Sequence, residues 1–161
     1  MEQFKILTDL RDYIKQLECS EGKVLARPVP EGGNPIFYRS CDVVEGAELI
    51  FGIQVRDYCF SSCRRWVLPH NQMGLSFSAN WQHLKSIYKL KSSKNPGKSI
   101  DVYWVLEKAD IPPDLAFVPD QKDSRHYFLT VTKKMPVDEL VRKLEWVADR
   151  MSIIRDASRV L

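Results

Sequence analysis

The stretch 109-ADIPPDLAFVPDQKDSRHYFLTV-131 packs Pro112, Pro113 and Pro119 ahead of a run rich in aromatic and β-branched residues. Proline fixes φ and offers no N–H, so the first part reads as a stiffened turn. The run that follows predicts a strand at about 126–132. Two accounts of the stiffness are open: Pro112-Pro113 limits the conformations available ahead of His126, or the prolines end one edge strand and start another.

Working outward from this stretch, 100-IDVYWVL-106 predicts a clear strand, preceded by a loop over 91–99. Before that loop, 79-ANWQHLKSIYKL-90 predicts a helix with Ser78 as its cap, and a short strand ends between Met73 and Phe77. Further back, 36-IFYRS-40 and 49-LIFGIQV-55 read as strands, while Lys23 to Arg39, with Pro28, Pro30, Gly32, Gly33 and Pro35, reads as mostly loop. Phe4, Leu7, Leu10, Ile14 and Leu17 recur at helical spacing, so an amphipathic helix is expected over about 3–18, stopped at Ser20-Glu21-Gly22. Toward the other end, Pro136 suits the first turn of a last helix, with Asp138 and Glu139 near its positive end. Its apolar stripe runs through Val137, Leu140, Val141, Leu144, Val147, Met151 and Ile154. The order helix, strands, helix, strands, helix predicts one α+β domain over 1–161, with an N-terminal helix in 1–20.

Composition narrows the partners. Charged residues make up 28% and net charge is +3, so no anionic partner is forced by charge alone. No apolar run approaches the ~20 residues that cross a bilayer. Charges interrupt the first twenty residues, so no signal peptide is read and a cytoplasmic protein with no membrane partner is expected. Cys19, Cys41, Cys59 and Cys63 are accordingly expected to be reduced and buried. Cys59, Cys63 and His70 do not supply the two tight ligand pairs of a structural zinc site, so no metal is expected.

Three short groups can carry chemistry: Tyr38-Arg39, 74-GLSFS-78 and His126-Tyr127. Each also has an ordinary reading, as a surface pair, a turn with its cap, and a packed pair in a strand. Together they suit a nucleotide site. Arg39 offers a permanent, forked cation for a pyrophosphate. Gly74 lets a flat ring approach the backbone, Ser76 and Ser78 can bond a ribose, and His126 and Tyr127 supply a proton-labile ring and an aromatic hydroxyl. No phosphate-loop frame and no G-x-S-x-G occurs.

Tyr38-Arg39, Gly74-Leu75-Ser76, the block Asp110-Ile111-Pro112-Pro113-Asp114-Leu115, then His126-Tyr127 and Met135 resemble, in order, the landmarks of a toxin family. That family is the ADP-ribosyltransferase-like toxins related to the second exported effector of the type VI secretion system. The landmarks fall within about 36–150 of a core spanning 36–161. The resemblance implies an ADP-ribosyltransferase-like fold of two packed β-sheets with flanking helices and NAD in the cleft. It also implies a bacterial toxin that modifies an intracellular RNA or protein and is neutralised by an antitoxin or immunity protein. It gives Arg39 the place near the NAD phosphates, 74–78 the central strand motif, and His126 the start of the last motif strand. The chain departs from the wider superfamily in having no Glu-x-Glu or Gln-x-Glu, so His126 with Tyr127 takes the place of the glutamate.

An alternative reading is a non-catalytic nucleic-acid-binding module. Lys85, Lys89, Lys91, Lys94 and Lys98 fall within fourteen residues free of acids, with Trp81, His83 and Tyr88 beside them. A solvated helix face explains the same lysines. A third reading has the terminal helices neutralising a partner protein.

Overall fold

Seven consecutive residues, Val24–Pro30, form the strand on which the largest sheet is built. A computed structural model describes residues 7–17, 23–107 and 111–155. In it, helix α1 (Leu7–Leu17) precedes that strand, β1. A small hairpin follows, β2 (Leu49–Ile50) and β3 (Ile53–Gln54), then the short strands β4 (Cys59–Phe60) and β5 (Trp66–Leu68). Strand β6 (Leu75–Ser78) leads into α2 (Trp81–Lys94), β7 (Ile100–Leu106), β8 (Leu115–Asp120) and β9 (Asp123–Val131). Strand β10 (Met135–Pro136), α3 (Val137–Arg150) and β11 (Ser152–Ile154) close the described chain.

Six strands form one sheet in the order β11-β7-β1-β6-β9-β8, with every pairing antiparallel. A second sheet runs β10-β5-β4. Side chains alternate across a strand, and the two faces bury different partners. Val24 and Ala26 of β1, with Val102 and Trp104 of β7, pack on Leu10 and Ile14 of α1 and on Trp81, Leu84 and Tyr88 of α2. Leu25, Phe77, Leu129 and Val131 turn the other way, onto Leu140 and Leu144 of α3 and onto Val67 and Met135 of the second sheet. The architecture is α+β, as the periodicities predict.

Several boundaries differ from the sequence reading, each for a local reason. Residues 24–30 are a strand despite Pro28 and Pro30. These two pair with Val102 and Ile100 on β7, and β6 has already parted from β1 at that height, so no ladder there lacks an N–H. Residues 36–40 are not a strand, because Asn34 Oδ1 accepts from the N–H groups of Ile36 (2.9 Å) and Phe37 (3.0 Å), replacing a strand partner. The run 49–55 folds back on itself: Phe51 (φ 50°) and Gly52 (φ 84°) both take the left-handed conformation that a two-residue hairpin turn needs.

Ser78 does not cap α2. Asn80 does, its Oδ1 accepting from the His83 N–H at 3.1 Å, and α2 continues to Lys94. Residues 115–120 are a strand rather than loop, and Pro119 is tolerated because β8 is the sheet edge. Pro112-Pro113 therefore precede β8, and the β8–β9 hairpin separates them from His126. Helix α3 stops at Arg150, and Ile154, expected on its stripe, lies instead in β11 against β7. Phe4, Cys19, the stop at 20–22 and Asp110 lie outside the described residues. Cys41, in the 3-10 turn Ser40–Asp42, and Cys63 are exposed and Cys59 on β4 is half-buried, none of them buried as expected, because they sit outside both clusters.

Candidate functional site

The centre of the main sheet is where the site forms. Strands β1 and β6 pair at one register position, Ala26 against Ser78, and then separate. Arg27, the next residue on β1, fills the gap: its guanidinium donates to the Ser76 carbonyl and to the Tyr38 hydroxyl, each at 3.1 Å. Arg27 is only 8% exposed, its Nε has no partner, and its Cζ lies 5.6 Å from the Phe77 ring centre. The Arg27 charge pulls the Tyr38 phenol below its ordinary pKa against the opposing effect of burial. A cavity of about 310 Å³ opens on this seam.

Helix α2 and the β8–β9 hairpin close the other side with two histidines and two aspartates, His83, His126, Asp120 and Asp123. His126 Nδ1 is 2.9 Å from Asp120 Oδ2. His83 Nδ1 is 2.6 Å from Ser78 Oγ, and its Nε2 is 3.9 Å from Asp123 Oδ2. The two imidazole centres are 5.5 Å apart, and Phe128 sets its edge against His126 at 4.8 Å. Burial, reinforced by the nearby His126, lowers the His83 pKa. Asp120 is held below the usual carboxylate range by the Lys122 N–H and, secondarily, by His126. Asp123 is held lower still by Arg125, which chelates it through Nε and Nη2. Lys91 reaches the cavity from α2, and burial lowers its pKa.

The fold brings together some of the residues singled out in the sequence. His126, Ser76, Ser78 and Tyr38 all line the cavity, although Ser76 contributes its carbonyl to Arg27. Tyr127 turns to the opposite face of β9, against the α3 side, as strand alternation requires. Arg39 is absent from the cavity lining; its side chain is 51% exposed and chelated by Asp42 at 2.8 and 3.1 Å. Gly74 also stands apart, and its need for glycine is steric: a Cβ there would lie 2.5 Å from the Leu129 carbonyl oxygen.

Helix geometry divides the lysines. Lys91 and Lys94 share the flank of α2 that carries His83 and Ile87, whereas Lys85 and Lys89 lie on the opposite flank. Lys98 is exposed in the loop beyond. Trp81 and Tyr88 are buried against the sheet and offer no stacking face, because they form the helix's core stripe. Arg27, His83, Asp120 and Asp123 are the site residues that the motif reading did not assign to the site. Arg27 had a signal, as the lone charge inside the apolar run 24-VLARPV-29. Comparison of the chain with family models, curated proteins and solved structures returned no match.

Proposed function

We propose that the chain is an NAD-dependent ADP-ribosyltransferase that modifies an intracellular RNA or protein acceptor and so arrests growth. The observation that carries this reading is the Arg27 guanidinium, buried beside a cavity with Nε unpartnered. Among the described residues no carboxylate lies within ion-pair distance of it. A buried guanidinium with no carboxylate in contact is costly. The half-buried Asp57 feels the Arg27 charge but makes no hydrogen bond to it, and a pyrophosphate offers that contact in the forked geometry a guanidinium matches. Arg27 thus takes the role that the sequence resemblance gives to Arg39. The cavity sits at the small end of the range for ligand sites, roughly 300–1,000 Å³, enough for the reacting end of a dinucleotide.

ADP-ribosyl transfer breaks the bond between ribose and nicotinamide through a cation-like transition state, so positioning and negative charge supply most of the catalysis. Asp120 and Asp123 bring that charge to the cavity wall, and His126, oriented by Asp120, is the base for an acceptor hydroxyl. The toxin role, and an antitoxin protein as partner, are proposed on the sequence resemblance alone. Purified protein is incubated with labelled NAD and either RNA or lysate, with NAD binding followed by calorimetry. Label on an acceptor is expected, lost together with NAD binding in Arg27→Ala and retained in Arg39→Ala. An unlabelled acceptor and no heat of NAD binding in the wild type would sink the reading.

A further inference from the structure

The two imidazoles exceed what transfer from NAD requires. Nicotinamide leaves its ribose as a neutral ring and takes no proton, so one base for the acceptor completes the proton chemistry. Here each histidine is tied back through Nδ1, His83 to Ser78 Oγ and His126 to Asp120 Oδ2, which leaves both Nε2 atoms for a ligand. The 3.9 Å from His83 Nε2 to Asp123 is beyond hydrogen-bond length. With centres 5.5 Å apart and a reach of about 3 Å each, the two ring edges can meet oxygens on one phosphoryl group. Arg27 and Lys91 line the same cavity as cations. A base, an acid and two cations around one small cavity are the needs of a reaction whose leaving group is an alkoxide on phosphorus.

We propose that this cavity also cleaves single-stranded RNA by internal transesterification, with His83 as general base and His126 as general acid. His83 Nε2 takes the proton of a ribose 2′-hydroxyl, and the 2′-oxygen bonds to the adjacent phosphorus. The bond from phosphorus to the 5′-oxygen breaks, and His126 gives that oxygen its Nε2 proton. The products are a 2′,3′-cyclic phosphate and a 5′-hydroxyl; one proton is taken and one is given, and no metal or co-substrate enters. The partners of each ring divide the roles. In the tautomer that donates Nδ1–H to Ser78 Oγ, His83 has its lone pair at Nε2, and Asp120 stands beside His126 as a counter-charge for its protonated form. Burial lowers the His83 pKa and so favours the neutral form that a base needs. Arg27 and Lys91 oppose the charge that gathers on phosphorus, and Lys94, on the same flank of α2, extends the positive surface along the strand. A single strand is specified because its nucleotides can splay to enter a cavity of this size.

The full chain is incubated with an end-labelled single-stranded oligoribonucleotide in EDTA without NAD, beside the same sequence lacking every 2′-hydroxyl. Fragments ending in a 2′,3′-cyclic phosphate are expected from the first and no cleavage of the second. The rate should be bell-shaped in pH, since one imidazole must be free and the other charged. The groups that face them and shape the curve are Asp120, Asp123 and Arg125 of the hairpin, Lys91 of α2, and Arg27 and Tyr38 across the seam. His83→Asn and His126→Asn should each lower the rate about 10²–10⁴-fold and each remove one limb of the bell. Absence of cleavage by the wild type, cleavage of the deoxy strand, or full activity in either folded variant overturns the proposal. Where a variant does not fold, the wild-type pH profile and the deoxy strand still decide. Because this assay contains no NAD, its failure leaves the transfer reading standing, and the converse also holds.

Discussion

Arg27 shows how one side chain can oppose stability and serve binding. It is buried with an unpartnered Nε, so an apolar side chain of similar length avoids the cost of keeping the charge dry. Arg27→Met should therefore melt no lower than wild type while losing affinity for phosphate-bearing ligands; calorimetric midpoint and NAD titration read the two effects separately. A midpoint several degrees lower would make Arg27 a structural residue. His83 links the site to pH. Burial lowers its folded pKa below the ordinary 6.5, so the folded chain binds this proton less readily than the unfolded one. The associated stability is complete above about pH 6.5 and is lost as pH falls toward the folded value. Urea midpoints at pH 7.5 and pH 5 should fall further apart in wild type than in His83→Asn. Legibility at this scale followed from chemistry: His126 and Tyr38 stood out as reactive types, while Arg27 looked like loop because prolines follow it.

Elements were read well where one pattern ran without interruption. Strand β7, helix α2 and helix α3 each carry a continuous apolar stripe or alternation, and each appears near its expected place. Strand β8 was hidden because Pro119 reads as a breaker, which an edge position permits. Residues 36–40 misled in the opposite sense: the β-branched and aromatic content is real, but the Asn34 side chain takes the N–H groups. Two substitutions test elements. Gly74→Ala pushes a Cβ against the Leu129 backbone, which cannot yield as a side chain could, and should cost about 1–3 kcal/mol by denaturant titration. Asn80→Ala removes the α2 cap and should cost about 1 kcal/mol. A neutral Gly74→Ala would mean that β6 and β9 sit further apart than the register implies.

At the scale of the molecule, the apolar periodicities carried the α+β class, since they are set by burial on the faces of a sheet. The cavity was not legible, because it depends on where β1 and β6 part, and strand order leaves no local mark in sequence. The lysines make the same point. Gln at Lys91 and Lys94 should flatten the salt dependence of RNA binding, while Gln at Lys85 and Lys89, on the far flank, should leave the slope near that of wild type. Equal slopes for the two pairs would return all five lysines to ordinary surface. The parting of β1 from β6 has a mechanical side as well. Within the main sheet, the leaf β11-β7-β1 is joined to the leaf β6-β9-β8 by one backbone rung, between Ala26 and Ser78, and by the Arg27 side chain reaching the Ser76 carbonyl. Such a joint resists twisting far less than a full ladder, so the leaves can breathe about it while each stays intact. A molecule that grips Arg27 on one leaf and His126 on the other is then a splint across the joint, and amide exchange in β1 and β6 should slow together as it binds.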